Sequence, residues 1–292
     1  MSGNDAVTVR RTPIQVISSK VEQAWRLASL RYLSAFIPIF LVTEYPRSGG
    51  TWLSQMLADC LDLPFPRNRI PLPRESLFHG HYPPSRTFRR LPCIFWLVRD
   101  GRDVMVSLYH HYLLWNEKNR KWPADILYHR KMLRFEDYED VRGNLAAFME
   151  FSFTHTPSPL VKFTHPGNWA SFNGSWLNQQ IIPADKLVNV RYEELLNDTA
   201  TELTRVLTAA AGEPPNPAAV AEVVGKYSFD AQAGRRRGEE DSSSFLRKGV
   251  AGDWRNYFSA EAAQTFDRHA GDILIRLGYE DDRSWVKQVA GS

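Results

Sequence analysis

The chain has 292 residues and a formal net charge of +3, with 43% hydrophobic and 24% charged residues. These values are typical of a globular protein with a sizeable core, in one large domain or two small ones, and the small charge gives no reason to expect a nucleic-acid partner. The two cysteines, Cys60 and Cys93, exclude a disulfide framework, and their spacing suits no structural zinc site.

The chain begins with a polar segment, residues 1–20, that we treat as irregular and as a candidate disordered region. This segment contains no apolar signal-peptide core, and no apolar run in the chain approaches the ~20 residues that span a membrane. We therefore expect a cytoplasmic protein without a membrane span. Apolar and aromatic residues at helical spacing then predict a helix over residues 21–35.

A strand, a glycine-containing turn and a helix follow one another in the next segment. The apolar run at 37–43 predicts a buried strand, and the helical spacing beyond it predicts a helix over 51–61. Between them lies Tyr-Pro-Arg-Ser-Gly-Gly-Thr, residues 45–51. Glycines let backbone N–H groups turn toward one point, and a helix N-terminus adds unpaired donors, so this turn predicts a phosphate site.

The turn differs from the Walker A motif of proteins that hydrolyse ATP or GTP. That motif needs Gly-x-x-x-x-Gly-Lys-Ser/Thr, whereas here no lysine follows the second glycine and the cation, Arg47, precedes both glycines. A phosphate site remains the interpretation, without support for the usual nucleotide hydrolysis. This segment alone also leaves open an ordinary turn between a strand and a helix that binds nothing.

The rest of the chain alternates between strand and helix patterns. Seven prolines between residues 64 and 92 predict a long loop with little regular structure, of the kind that usually serves a function. Apolar runs at 93–98 and 187–191 predict buried strands, which indicates a mostly parallel sheet flanked by helices. Residues 231–247 have the composition of a mobile loop, and no linker divides the chain, so we predict one α/β domain over 1–292. The predicted helical segments are 102–115, 141–153, 175–182, 193–212, 216–226 and 260–277.

Four segments, in chain order, resemble the PAPS-dependent sulfotransferases, where PAPS is 3′-phosphoadenosine 5′-phosphosulfate. Residues 45–52 are similar to that family's 5′-phosphosulfate loop, Tyr-Pro-Lys-Ser-Gly-Thr-Thr-Trp, and Val98–Ser107 is similar to its 3′-phosphate segment. Arg191–Leu195 matches its Tyr-Glu-Asp/Glu segment, and Arg247–Trp254 matches its Arg-Lys-Gly-x-x-Gly-x-Trp loop. The resemblance runs from about residue 38 to residue 275, and four ordered matches are far more specific than one.

The resemblance implies a P-loop-like fold and an enzyme that transfers a sulfuryl group from PAPS to a hydroxyl of a small molecule, leaving 3′,5′-ADP. In the family an arginine and a serine eight positions later bind the 3′-phosphate, and Arg99 and Ser107 match them. Trp52 matches a tryptophan that stacks on adenine, although an aromatic residue on a helix also commonly packs in a core. The implied cofactor-binding residues are Arg47, Ser48, Gly49, Gly50, Thr51, Trp52, Arg99, Ser107, Tyr192, Ser228, Phe229, Arg247, Lys248 and Gly249.

The resemblance also implies two catalytic residues. Arg47 stands where the family usually has a lysine beside the sulfuryl oxygens, which keeps the charge but replaces a mobile point donor with a planar fork. His81 matches the histidine of the family's Lys-Thr-His-x-Pro segment, which takes the proton from the acceptor, and an imidazole titrates near working pH. His79 and Gly80 replace that lysine and threonine, so the lysine's charge is missing at neutral pH unless His79 is protonated.

Other polar residues near these segments have competing interpretations. His110 and His111 are rival histidines for the catalytic base, although their helix turns at least one of them toward the core or the surface. Arg102 is expected to pair with Asp103 or to face water. Because cations and N–H donors can stabilise the charge that develops during transfer, no metal site is expected.

The acceptor is predicted only in outline, as a small molecule with a hydroxyl and an apolar or ring-bearing body. A group of aromatic residues suggests this chemistry, although the same side chains could belong to the core. They are Trp115, Trp122, Phe148, Phe151, Phe153, Phe163, Trp169, Phe172 and Trp176. The sequence leaves both a monomer and a homodimer open.

Two other functions compete with sulfuryl transfer. A P-loop kinase that uses ATP would need the loop lysine and a metal-holding acidic pair, and the sequence offers neither convincingly. A non-catalytic nucleotide-binding protein of the same fold would have lost its base. His81 argues against that alternative, whereas His79 and Gly80 leave it open.

Overall fold

Four parallel strands form one sheet, in the spatial order β2-β1-β3-β4, in this computed structural model. The structure describes residues 13–66, 73–121, 123–155, 166–241, 244 and 246–291. Because all four strands run the same way, their carboxyl ends meet at one edge of the sheet. The strands are β1 (Ile39–Glu44), β2 (Ser76–Gly80), β3 (Ile94–Val98) and β4 (Leu187–Arg191).

Helices follow the strands and flank the sheet. In chain order they are α1 (Pro13–Arg31), α2 (Gly50–Cys60), α3 (Gly101–Leu113), α4 (Glu117–Lys121), α5 (Ala124–Met132), α6 (Val141–Thr154), α7 (Trp169–Leu177), α8 (Tyr192–Asn197), α9 (Thr199–Ala211), α10 (Pro217–Lys226), α11 (Phe229–Ala233), α12 (Ala260–Arg276) and α13 (Trp285–Ala290). Short 3₁₀ helices lie at Leu33–Ala35, Arg86–Arg90, Ala184–Lys186 and Asp253–Asn256. Within the described ranges, no helix combines the length and the apolar character that a membrane crossing needs.

Two hydrophobic clusters, one on each face of the sheet, hold the strands in place. Side chains alternate along a strand, so Ile94 and Trp96 of β3 enter one cluster while Phe95 and Leu97 enter the other. Burying a large apolar side chain stabilises a fold by about 1.5–3 kcal/mol. Burial on both faces explains why the two central strands, β1 and β3, are largely apolar runs in the sequence. The predicted α/β class with a parallel sheet is confirmed.

β2 corrects the prediction of an irregular loop over residues 64–92. Leu77 and Phe78 are buried and pair with β1, at the edge of the sheet. The prolines of this segment lie on either side of the strand, where they interrupt no ladder hydrogen bond. His79 therefore lies on a strand, and His81 directly follows its end.

Several other boundaries differ from those predicted. α1 begins at Pro13, so irregular structure over 1–20 is wrong from that residue onward, and residues 1–12 lie outside the described ranges. α7 spans Trp169–Leu177 rather than 175–182, and α13 was not predicted. In the predicted mobile loop, backbone hydrogen bonds join Gly238 to Lys248 and Asp241 to Arg247, each at 2.9 Å. The mobility of this loop stays a prediction.

Candidate active site

The predicted phosphate turn lies at the carboxyl ends of the parallel strands, where open α/β sheets bind their ligands. The turn joins β1 to α2. His81 follows β2, Arg99 follows β3 and Tyr192 follows β4. The parallel sheet itself therefore gathers side chains that are far apart in the sequence.

The turn between β1 and α2 has a shape that requires glycine at two positions. Gly49 has a φ of +102°, and a Cβ there would lie 2.8 Å from the ring of Tyr192. A Cβ at Gly50 would lie 2.5 Å from the carboxyl carbon of Glu44. Arg47 also has a positive φ, +74°, a conformation that costs an ordinary residue on the order of 1–3 kcal/mol and that is concentrated at ligand sites.

Two polar atoms near this turn are buried without a hydrogen-bond partner among the described residues. They are the hydroxyl of Ser48, a residue that is 1% exposed, and Nε of Arg99. A buried polar group without a partner costs about 1–3 kcal/mol, so such atoms call for a bound ligand or water. Both are donors, which suits an anionic ligand.

Arg47 and Arg99, both half-buried, bring two positive charges to this edge of the sheet. Nε of Arg47 donates to the Ser107 hydroxyl at 2.9 Å, and Nη1 of Arg99 donates to the backbone oxygen of Arg47 at 3.1 Å. Burial and the neighbouring Arg99 lower the pKa of Arg47 to about 10, which still leaves it charged at neutral pH. The Arg99 guanidinium also lies 4.4 Å from the ring centroid of Tyr192. An anion bound here would relieve the repulsion between the two guanidinium groups.

The segment Arg247–Trp254, called the late loop below, carries two further cations that are already paired with carboxylates. Arg247 donates to Glu240 at 2.5 Å and also to Asp253, and Lys248 donates to Asp253 at 2.7 Å. Although burial opposes the effect, the hydrogen bonds from Lys248 and Arg247 lower the pKa of Asp253 to about 2. Asp253 therefore stays ionised and fixes both cations, and a phosphate bound to them must share them with carboxylates.

The residues expected near adenosine lie together beside the turn. Trp52 is half-buried, and its indole N–H donates to the backbone oxygen of Tyr227 at 2.8 Å. Ser228 caps the start of α11. Phe229 packs so tightly on Gly249 that a Cβ there would lie 2.4 Å from the Phe229 ring. Because Trp52 is only half-buried, packing in the core accounts for only part of its side chain, and the proposed adenine contact stays compatible with its position.

His81 and His79 both contact Glu44, which is the last residue of β1. Nδ1 of His81 lies 3.0 Å from the backbone oxygen of Glu44. Because a carbonyl can only accept, Nδ1 carries the proton and Nε2 is the basic nitrogen of the neutral ring. Nε2 of His79 lies 3.1 Å from Glu44 Oε1, and Oε2 accepts a hydrogen bond from the backbone N–H of Gly50 at 2.5 Å.

Glu44 is a residue of this site to which the sequence analysis gave no role. It is 4% exposed, which is rare for a carboxylate unless it is paired. The signal that could have identified it is an acidic residue at the end of a buried strand, directly before the phosphate turn.

The rival histidines differ in their surroundings. His110 is 8% exposed, does not line the cavity described below, and has no hydrogen-bond partner for either ring nitrogen among the described residues. Burial, together with the charge of Arg247, lowers the pKa of His110 to about 4, so it is a neutral core residue. His111 lines the cavity and stays a rival for the base.

A cavity of about 1680 Å³ joins these groups. All predicted site residues except Ser48 line it, and Ser48 is buried behind its surface. The cavity is also lined by rings that form two stacked pairs, Tyr112 with His129 at 4.1 Å and Phe151 with His155 at 4.5 Å between centroids. The same cavity thus offers both an anion-binding wall and flat ring surfaces.

The aromatic residues expected around an acceptor mostly lie elsewhere. Phe151 lines the cavity, and Trp115 is on the surface, 38% exposed. Those that belong to the hydrophobic core are Phe148, Phe153, Trp169, Phe172 and Trp176. Trp122 and Phe163 lie outside the described residues.

The partners of Arg102 differ from those predicted. It is 2% exposed and pairs with Asp100 and Glu280, not with Asp103 or water. Asp103 instead accepts a hydrogen bond from the backbone N–H of Gly252 at 2.7 Å, which fixes the late loop against α3.

The comparisons with known proteins agree with this geometry. The family described as the sulfotransferase domain matches residues 65–278, and the chain belongs to this family. Sulfotransferase 1E1 of Cavia porcellus is 23% identical over 277 residues, which cover 78% of this chain and 80% of the relative. The crystal structure of mouse sulfotransferase SULT7A1 complexed with PAP aligns with a TM-score of 0.58 and 21% identity, over 90% of this chain and 92% of that one. Retinol dehydratase in complex with androsterone and the inactive cofactor PAP aligns with a TM-score of 0.55 and 15% identity, over 86% and 85%.

Proposed function

We propose that this chain transfers the sulfuryl group of PAPS to a hydroxyl of a small-molecule acceptor, with a sulfate ester and 3′,5′-ADP as products. The observation that carries the proposal is the turn after β1. It combines the buried Ser48 hydroxyl, which has no hydrogen-bond partner among the described residues, with the half-buried Arg47 and with Arg99, which donates to the backbone oxygen of Arg47. Two structures of the same fold contain PAP, which is chemically this product. Family membership supports the reaction class.

The residues at the strand ends fit such a nucleotide in character and in order. The turn packs so closely against Tyr192 and Glu44 that only glycine fits at positions 49 and 50, which fixes its backbone at the start of α2, where helix N-termini bind anions. Residues for the 5′-phosphosulfate are Arg47, Ser48, Gly49, Gly50 and Thr51; for the 3′-phosphate, Arg99, Ser107, Arg247, Lys248 and Gly249; and for the adenosine, Trp52, Tyr192, Ser228 and Phe229.

PAPS supplies an activated sulfuryl group with a phosphate as leaving group. Nε2 of His81 would take the proton of the acceptor hydroxyl as its oxygen bonds to sulfur and the bond to the leaving phosphate breaks. Arg47 would stabilise the negative charge left on the bridging oxygen. The hydrogen bond from His81 to the Glu44 carbonyl fixes the base close to the turn that carries Arg47, so the two groups are held in position before substrates arrive.

The cavity favours an acceptor with a flat ring. Its stacked pairs, Tyr112 with His129 and Phe151 with His155, offer ring faces combined with polar edges. Aromatic rings stack or meet edge to face with a gain of about 0.5–1.5 kcal/mol beyond burial. A phenol or another ring-bearing alcohol fits these surfaces better than a fully aliphatic chain.

The proposal is tested by transfer of ³⁵S from labelled PAPS to a panel of phenols and ring-bearing alcohols. We expect a labelled sulfate ester and an equal amount of 3′,5′-ADP. Transfer of label from γ-³²P-ATP instead would support the kinase alternative. Tight binding of 3′,5′-ADP without turnover on any acceptor would support the non-catalytic alternative.

A further inference from the structure

Glu44, His79 and His81 form a cluster of metal-ligating side chains at the ends of two neighbouring strands. One carboxylate oxygen of Glu44 and one ring nitrogen of each histidine lie within 4.8 Å of one another. Glu44 Oε1 and His79 Nε2 lie 3.1 Å apart. The pairing of β1 with β2 creates this cluster, because it places Thr43 beside Gly80, with Glu44 and the two histidines next to them.

The donor set selects a particular kind of ion. Two imidazoles and one carboxylate suit Zn²⁺ and related transition metals, and three protein ligands leave a position open for water. Zinc bonds of about 2.0–2.1 Å in tetrahedral geometry place ligand atoms roughly 3.3 Å apart, close to the distance between Glu44 and His79. Mg²⁺ and Ca²⁺ prefer oxygen ligands, so they do not fit this cluster.

The surroundings of the ligands also resemble those of a metal site. The second oxygen of Glu44 accepts a hydrogen bond from Gly50, and a ring nitrogen of His81, Nδ1, donates to the Glu44 carbonyl. Hydrogen bonds of this kind orient ligands and fix the histidine tautomer. The side chain of Glu44 is 5% exposed and that of His79 is 15% exposed, and both histidines line the cavity. An ion can therefore enter from the cavity.

We infer that Glu44, His79 and His81 bind one Zn²⁺ ion, and that the bound ion inhibits sulfuryl transfer. The binding requires only the three side chains. The inhibition rests on the proposed function, because a His81 ring that binds a metal through one nitrogen and carries a proton on the other cannot take the acceptor proton. Arg47, whose charge interacts with Glu44, opposes a second cation nearby, so the site is expected to release the ion to a chelator.

Calorimetric titration of the untagged, EDTA-treated chain with ZnCl₂, without nucleotide, tests the binding. We expect one Zn²⁺ per chain, bound at least ten-fold more weakly by His79→Ala and by Glu44→Gln. His269→Ala is the matched control and should bind like the wild type, because His269 pairs with Glu150 at 3.0 Å but belongs to no three-residue cluster of this kind among the described residues. Equal affinities in the wild type and His79→Ala would overturn the site.

X-ray absorption at the zinc edge tests the same site without any variant, in case a substitution disturbs folding. The expected spectrum of the wild-type chain shows two imidazoles and at least one oxygen at about 2.0–2.1 Å. A spectrum with one imidazole or none would reject the assignment.

The inhibition is measured with the labelled-PAPS assay. Transfer should fall over the same range of free Zn²⁺ in which calorimetry shows binding, and EDTA should restore it. A zinc-loaded chain with full turnover would refute the inhibition. A chain that binds zinc but transfers no label at any metal concentration would count against the proposed function and leave the binding site intact.

Discussion

Nδ1 of His81 lies 3.0 Å from the backbone oxygen of Glu44, so a histidine that follows one strand is held by the last residue of its neighbour. This contact fixes the tautomer of the ring and makes Nε2 its basic nitrogen. The same Glu44 contacts His79 and Gly50 through its side chain. One acidic residue therefore links the histidines to the phosphate turn.

Substituting His81→Ala should lower kcat for an alkyl alcohol by ~10²–10⁴, the usual contribution of a positioned acid–base group. Binding of 3′,5′-ADP should change little, because His81 is not among the proposed nucleotide contacts. Acidic phenols, which are already partly ionised, should lose less. Steady-state kinetics on both acceptor types, with calorimetry for the nucleotide, measure this. Wild-type kcat in the His81→Ala variant on an alkyl alcohol would exclude His81 and direct attention to His111.

The chain should bind 3′,5′-ADP at least ~100-fold more tightly than 5′-AMP, because a charge-assisted hydrogen bond contributes about 1.5–3 kcal/mol and several donors act together. Arg99→Ala should remove most of this difference and raise the KM for PAPS. Arg268→Ala, on an exposed arginine that does not line the cavity, is the control and should retain it. Calorimetry with the two nucleotides decides, and equal affinities in the wild type would reject the 3′-phosphate assignment.

Turnover should persist in excess EDTA. Arg47, Arg99 and backbone donors would stabilise the negative charge of the phosphosulfate, which a metal ion would otherwise neutralise. The measurement is the initial rate of label transfer with and without chelator. A rate that falls on chelation and returns with Mg²⁺ would contradict the prediction and favour the kinase alternative.

His110 should make the fold less stable in mild acid. Its folded-state pKa of about 4 is below the value near 6.5 expected in the unfolded chain, so the unfolded state binds more protons between these values. Stability is therefore full above pH 6.5 and falls as the pH drops toward 4. Between pH 7 and pH 5 the loss from this group is about 2 kcal/mol.

The matched measurement for His110 is urea unfolding of the wild type and His110→Phe at several pH values. The variant should lose about 2 kcal/mol less than the wild type between pH 7 and pH 5, because the carboxylates that also titrate are common to both chains. Parallel pH profiles would show that His110 is not buried in a neutral form.

The parts of the fold that the sequence predicted are those with local signals. β1 and β3 are largely apolar runs because both of their faces are buried, and the composition of the glycine turn identifies it. β4 is recognised by its apolar residues Leu187, Val188 and Val190, although Asn189 between them is exposed. β2 was missed because prolines surround a short edge strand. The partners of Glu44 were missed because they depend on strand register, and the pair of Arg102 with Glu280 was missed because Glu280 lies far along the chain. Local patterns contain no information about such distant contacts.

The sheet has a consequence for how the chain folds. No two strands of a parallel sheet can be joined by a tight hairpin turn, and here Ile94 pairs with Leu187 across several intervening helices. Pairing must wait until long stretches of chain have been brought together, and folding rates fall as the average separation between contacting residues rises. We therefore expect slow refolding from denaturant. Added nucleotide should accelerate refolding little, because its proposed site is complete only after the last strand, β4, has joined the sheet.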